Sequence, residues 1–278
     1  MTALQPRYVT EGQQPQLLFT VCTLVASEDK YARMLASFEA KGFTAENSEF
    51  IAVDNRSGNS LDGYRALRSL FPEMRGEFIL FTHDDIELTD DGADELEQAL
   101  RSLEASDKTW MVAGNAGWTP GPQAEQVICL DDPHGSWTDL KVAREVVSLD
   151  ENFLVLARNR MVFPSLDLDG FHLFATDLCQ QARAAGGTAY VLPFHLTHHS
   201  GGAGSTAYDQ SRAAFEGKYA ALRLDGRLRT PASTLYIGAR GQMQKQWDKA
   251  EIAFTSKLNA AVRKTAAFAR TAAGNSGN

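Results

Sequence analysis

The stretch Glu77-Phe78-Ile79-Leu80-Phe81-Thr82-His83-Asp84-Asp85-Ile86-Glu87-Leu88 constrains this chain most: a short apolar strand runs directly into a His-Asp-Asp cluster and stops. Carboxylates at the end of a buried strand are held in place, and hard divalent cations take oxygen ligands, so the cluster is a candidate cation site. Alone, it reads equally as a solvated Asp-Asp turn that caps the next helix. The design recurs, however. Phe50-Ile51-Ala52-Val53 ends in Asp54-Asn55-Arg56-Ser57, and Leu17 to Val25 forms a third apolar run of the same kind. Three strands are expected to present polar loops at their carboxyl ends.

The intervening segments have helical spacing. Ser27 can cap a helix carrying Tyr31, Met34, Leu35 and Phe38 on one face, ended by Gly42. A second helix is expected over residues 63–70, stopped by Phe71-Pro72, and a third opens at Thr89 or Asp90 with Leu96, Leu100 and Leu103 in line. Trp110 to Gly114 reads as a fourth strand. The order β-α-β-α-β-α-β predicts an α/β fold: a mostly parallel sheet with helices on both faces.

Beyond Asn115 the pattern changes. Glycines and prolines mark residues 115–141 as a long working loop around Trp118 and Trp137. Residues 145–149 and 153–157 are expected to form a strand pair, 176–184 a helix and 189–196 a strand leading to His198-His199. A further helix carries Tyr208, Phe215, Tyr219 and Leu222. No repeat or clear linker interrupts the chain. The expected organisation is a polar arm (1–16), one compact domain (17–222) and a C-terminal basic helical extension (223–278) with a frayed end.

Composition narrows the function. A 44% apolar content over 278 residues supports a sizeable core, and a net charge of -8 argues against a nucleic-acid partner. Cys22, Cys129 and Cys179 lack CxxC spacing, which fits a reducing cytosol. No run reaches the ~20 apolar residues of a membrane span, so a soluble, cytoplasmic protein is expected. One segment departs from the acidic average. From Arg240 to Arg270, seven Lys or Arg stand against Asp248 and Glu251, with Ile252, Phe254, Leu258 and Val262 interspersed. Such a helix can pack on the body, meet a second subunit or lie peripherally on the inner face of an anionic membrane.

The succession of Val53-Asp54-Asn55, a helix, Gly76-Glu77-Phe78-Ile79-Leu80-Phe81 and an acidic triplet resembles the family-2 glycosyltransferases of the GT-A fold. Ser148 to Val155, followed by Gly170-Phe171-His172-Leu173-Phe174-Ala175-Thr176-Asp177-Leu178-Cys179, resembles a bacterial branch of them. The likeness covers roughly residues 17–205. It implies an inverting, metal-dependent enzyme that moves a sugar from a nucleoside diphosphate sugar to a saccharide or other hydroxyl acceptor, in glycan or polysaccharide assembly. The nucleotide half would be 17–114 and the acceptor half 115–222.

The usual triplet is Asp-x-Asp, and here it is His83-Asp84-Asp85. The resemblance implies Asp85 as ligand for Mn²⁺ or Mg²⁺, Asp84 near ribose or metal, and Asp54 on the nucleoside. Thr23, Leu24 and Val25 would line the same cleft, with Arg56 or Arg65 reaching base or phosphate. Asp177, opening the helix after Gly170, would be the catalytic base; its bland alternative is a carboxylate stabilised by the helix dipole. His198 can complete the metal's coordination, ahead of His199 and with His83 less clearly placed. Trp118 and His172 are candidate acceptor contacts, Trp118 through stacking on a sugar face. A zinc hydrolase built on His83, Asp85 and His198, a nucleotidyltransferase and a non-catalytic nucleotide-sugar scaffold are the rival readings. No HExxH motif supports the first, and no glycine-rich phosphate loop follows strand one.

Overall fold

The computed structural model describes residues 15–201 and 206–255. Its centre is a seven-stranded sheet. β1 (Leu17–Val25) pairs in parallel with β2 (Ser48–Asp54) on one side and β3 (Gly76–His83) on the other. The sheet continues through β12 (Phe153–Ala157), β5 (Trp110–Gly114), β13 (Thr188–Val191) and β10 (Arg144–Val146) in that order. β12 runs antiparallel to both neighbours and β10 antiparallel to β13, so the sheet is mostly parallel.

Three helices connect these strands as their spacing predicts. α1 (Glu28–Ala40) starts at Ser27, whose side chain accepts from the Lys30 N–H, and buries Met34 and Phe38. α2 (Gly63–Leu70) starts at Asp62, which accepts from the Arg65 N–H, and runs into a short 3-10 turn at Phe71-Pro72. α3 (Ala93–Ser106) begins later than Thr89 or Asp90: Gly92 is its cap, and the Glu95 carboxylate accepts from the Gly92 N–H at 2.9 Å. Phe19, Phe38, Phe43, Phe78, Trp110 and Phe153 are almost wholly enclosed in one apolar core. Burying each such ring contributes about 1.5–3 kcal/mol before entropy is counted.

Two expectations are corrected. Residues 115–141 are not an open loop: β6 (Ala116–Trp118) and β7 (Gln126–Ile128) join β11 (Ser148–Leu149) in a three-stranded sheet. β8 (Leu130–Asp132) and β9 (Gly135–Trp137) join β4 (Ile86–Glu87) and β14 (Thr197–His198) in a four-stranded one. Residues 145–149 and 153–157 are not partners either, because β12 fills the place between β3 and β5. Short runs of alternating polarity fix strand character but not the partner. Cys22, Cys129 and Cys179 are buried free thiols.

After α4 (Phe174–Ala184) and α5 (Thr206–Ala221), β15 (Gly226–Arg229) and β16 (Thr234–Ile237) form an antiparallel hairpin absent from the sequence reading. Residues 238–255 are helical. The chain divides within α5: Met1–Ser211 with Thr230–Ala232 form one unit, and Arg212–Arg229 with Ser233–Asn278 the other. The polar arm up to residue 14 and Lys257, Leu258, Val262, Arg263, Lys264 and Arg270 lie outside the described residues. Among those described, no helix is long and apolar enough to cross a membrane.

Candidate metal and nucleotide site

Because β1, β2 and β3 are parallel, their polar ends share one edge of the sheet, where open α/β folds place ligands. His83 closes β3, Asp84 and Asp85 follow, and β4 then pairs antiparallel with β14, placing His198 opposite Ile86. One ligand atom from each of His83, Asp85 and His198 lies within 4.8 Å of the others. His198 Nε2 is 3.4 Å and His83 Nδ1 3.8 Å from Asp85 Oδ1, while Lys30 Nζ donates to Asp85 Oδ2 at 3.2 Å. Burial works against the charge on Asp85, but the hydrogen-bonding His198 ring, His83 and the Lys30 ammonium outweigh it and hold the carboxyl well below the usual range. Burial, and next to it His198, push the His83 imidazole down, against the pull of Asp150, Asp85 and Asp84. An ionised carboxylate and a neutral imidazole are the forms that bind metal.

The neighbouring acid has a different task. Asp84 Oδ2 accepts from the N–H groups of Ala26 and Ser27, both at 2.8 Å, and so fixes the turn from β1 into α1. Beside it lies a cavity of about 360 Å³, a size usual for small-molecule sites. Ala26, Asn55, Asn59, Phe171 and Phe174 line it together with His83, Asp84 and Asp85. Its far wall is built by a close approach: a Cβ on Gly63 would sit 2.4 Å from the Phe174 ring. Leu173, ahead of α4, takes φ 67°, a left-handed conformation that costs a leucine on the order of 1 kcal/mol.

Glu151 lies between Asp150 and the start of α4. Burial first and the Asp150 charge second push its carboxyl up to about 8, although backbone N–H groups of Leu173 and Ala175 stabilise the ionised form. Asp150 acts on His83 as well, whereas Glu151 itself is outside the cavity lining.

No protein-family model matches the chain. Over 221 residues it is 39% identical to the "ATP synthase subunits region ORF 6" protein of Fuscovulum blasticum, spanning 77% of this chain and 88% of that one. The chain belongs to the family of that protein. The relative's name assigns no reaction. Among solved structures, the chain resembles GalNAc-T7 with UDP, GalNAc and Mn²⁺ (TM-score 0.49, 9% identity, 76% of this chain and 48% of that one). It also resembles the mannosyltransferase PcManGT of Pyrobaculum calidifontis with GDP-Man and Mn²⁺ (0.47, 11%, 79% and 67%) and S. aureus TarS 1–349 with UDP-GlcNAc (0.48, 13%, 77% and 68%). The chain thus spans about half the length of the first of these structures and about two thirds of the others.

Several residues singled out in the sequence sit elsewhere. Asp177 is fully enclosed: its Oδ2 accepts from Ser165 N–H at 2.6 Å and its Oδ1 from Ser165 Oγ at 2.7 Å. It ties the segment before α4 to that helix and is not among the residues that line the cavity. Asp54 is exposed and paired with Arg56, whose Nε and second terminal nitrogen donate to it at 2.9 and 2.8 Å and hold its carboxyl down at about 2; Arg56 also meets Glu28. The cavity is lined instead by the next residue, Asn55, and by Asn59. Leu24 lines it too, whereas the Thr23 hydroxyl bonds Thr82 inside the sheet at 2.8 Å and Val25 is buried. His199, just past the end of β14, pairs with Glu87 at 3.1 Å and is not one of the three clustered side chains. His172 packs edge-on to Tyr208, and Trp118 belongs to β6; neither is in the cavity lining. Lys30 and Glu151 went unnoticed in the sequence. Lys30 offers no pattern beyond a surface helix position, but Glu151, between Asp150 and a strand, carries a weak one.

Proposed function

We propose that this protein is a glycosyltransferase that carries a sugar from a nucleoside diphosphate to a hydroxyl acceptor with inversion at the anomeric carbon. The observation that supports this best is the convergence of His83, Asp85 and His198 within 4.8 Å at the carboxyl edge of the sheet, beside the 360 Å³ cavity. Two imidazoles and one carboxylate fit a divalent first-row ion, and we propose Mn²⁺ ahead of Mg²⁺, which prefers oxygen donors. When bound, such an ion supplies positive charge to a departing diphosphate.

The chain's own groups carry the remainder. Asn59 offers its amide to a nucleoside near the end of β2, on a loop held in shape by Asn55, whose amide bonds Ser60 and Leu61, and Phe171 and Phe174 give the cavity an apolar wall. Glu151 is the carboxyl we assign as base. As the acceptor oxygen bonds to the anomeric carbon and the carbon–diphosphate bond breaks, its carboxylate takes the hydroxyl proton, and a raised pKa strengthens it as a base near neutral pH.

The test is a thermal-shift panel of nucleoside diphosphates and their sugars with and without Mn²⁺, followed by analysis of released products. Metal-dependent stabilisation and free nucleoside diphosphate are expected. Pyrophosphate release would replace the reading with nucleotidyl transfer, and metal-independent binding without turnover would replace it with a scaffold.

A further inference from the structure

The helix over residues 238–255 is anchored on one side and apolar on the other. On the inner side, Tyr236 Oη donates to Asp248 Oδ2 at 2.8 Å, Arg227 donates to both Asp248 oxygens at 3.2 Å, and Lys245 lies 5.7 Å above the Tyr236 ring. Gly241 closes the contact, since a Cβ there would meet the Gly226 carbonyl oxygen at 2.7 Å. These bonds set the helix's rotation. Met243, Trp247, Ala250 and Phe254 then recur at i, i+4, i+7 and i+11, which makes one stripe. Met243, Trp247 and Phe254 are 55%, 74% and 69% exposed, large values for side chains of this kind.

We infer that this stripe docks on an anionic lipid surface. The charge of the segment decides between occupants. The described residues of the second unit carry eight Lys or Arg against four acids, in a chain whose net charge is -8. A second copy meeting this face with its own would bring the same positive excess and be repelled. A layer of acidic headgroups attracts it, at about 1 kcal/mol per cation near the surface. Trp and Phe suit the boundary between headgroups and acyl chains, and the long stems of Lys and Arg let their charges stay in the headgroup layer. The inference is independent of the proposed reaction and uses only the second unit of the chain.

Flotation of the full chain with vesicles tests it, comparing phosphatidylcholine alone with phosphatidylcholine containing phosphatidylglycerol. Binding is expected only to the anionic vesicles, with release at about 1 M salt, where screening acts within about 3 Å. Trp247→Ser with Phe254→Ser should weaken binding about tenfold or more, through loss of apolar burial in the interface. Both positions are exposed, so an unchanged melting temperature is expected alongside. Lys249→Glu is a second variant that should weaken binding without touching the stripe. No vesicle binding by the native chain, equal binding by the Trp247/Phe254 variant, or a dimer in solution that this variant abolishes would each overturn the inference.

Discussion

His198 Nε2 lies 3.4 Å from Asp85 Oδ1, and the main chain makes that approach, because the His199 N–H donates to the Asp85 carbonyl at 3.0 Å in the β4–β14 ladder. The two side chains are therefore brought together by sheet pairing. A site organised in this way pays little reorganisation on taking up an ion.

Removing a ligand should cost the ion directly. Asp85→Ala, His198→Ala and His83→Ala are each expected to weaken Mn²⁺ binding by roughly 100-fold, since outer-shell partners alone are worth about 10–100-fold. Titration calorimetry reads this. His199→Ala, at the Glu87 side of the ladder, should leave the affinity within about threefold; a loss as large as that of His198→Ala would show that the wrong ring has been chosen.

Asp177 and Glu151 should separate stability from turnover. Asp177→Asn keeps one accepting oxygen and sets an NH2 against the other Ser165 donor, and is expected to destabilise the fold by about 1–3 kcal/mol in urea unfolding, with Mn²⁺ affinity retained. Glu151→Gln should instead keep nucleotide and Mn²⁺ binding and lower transfer by about 100-fold or more. If Glu151→Gln transfers sugar at the native rate, another group is the base.

The raised pKa of Glu151 also sets a pH slope. In the unfolded chain this carboxyl ionises at about 4.3, whereas in the folded protein it holds its proton up to about 8. Between those values the folded state binds more protons than the unfolded one, so this group's contribution makes stability fall as pH rises. Unfolding at several pH values should show a shallower fall in Glu151→Gln. The rate of transfer should move the opposite way in the native enzyme, rising with pH towards about 8 as the base ionises.

Asp84 should behave as a fastener. Asp84→Ala leaves the Ala26 and Ser27 N–H groups without their acceptor and is expected to cost about 1–3 kcal/mol. Asp84→Asn retains an oxygen and should cost less than half of that. Hydrogen exchange at Ala26 and Ser27 would report the loosening, and equal protection in Asp84→Ala and native protein would contradict it.

The first half of the chain was legible in sequence because each strand and helix carried its own signal: Ser27 as a cap, Phe71-Pro72 as a stop, and apolar runs that end in polar turns. The cation cluster was legible as far as Asp85 and His198. Their neighbours were less so. Asp54, Asn55 and Arg56 are adjacent, and only the end of β2 decides that Asn55 turns inward to bond Ser60 and Leu61 beside the cavity while Asp54 and Arg56 satisfy each other in solvent. Asp177 carries the same helix-start signal whether its carboxylate faces a substrate or Ser165. The placement of β12 between β3 and β5, and the assembly of 115–137 into small sheets, depend on long-range pairing that local periodicity does not encode.

The ammonium of Lys30 already occupies one oxygen of Asp85. A divalent ion taken up at Asp85 would therefore compete with a tethered monovalent one for the same carboxylate. Lys30 stands 44% exposed on the first turn of α1, so solvent reaches its ammonium while it holds that oxygen. On the proposed reading, a divalent ion held by Asp85 would leave the Lys30 ammonium to water, so one carboxylate would exchange a tethered monovalent cation for a free divalent one.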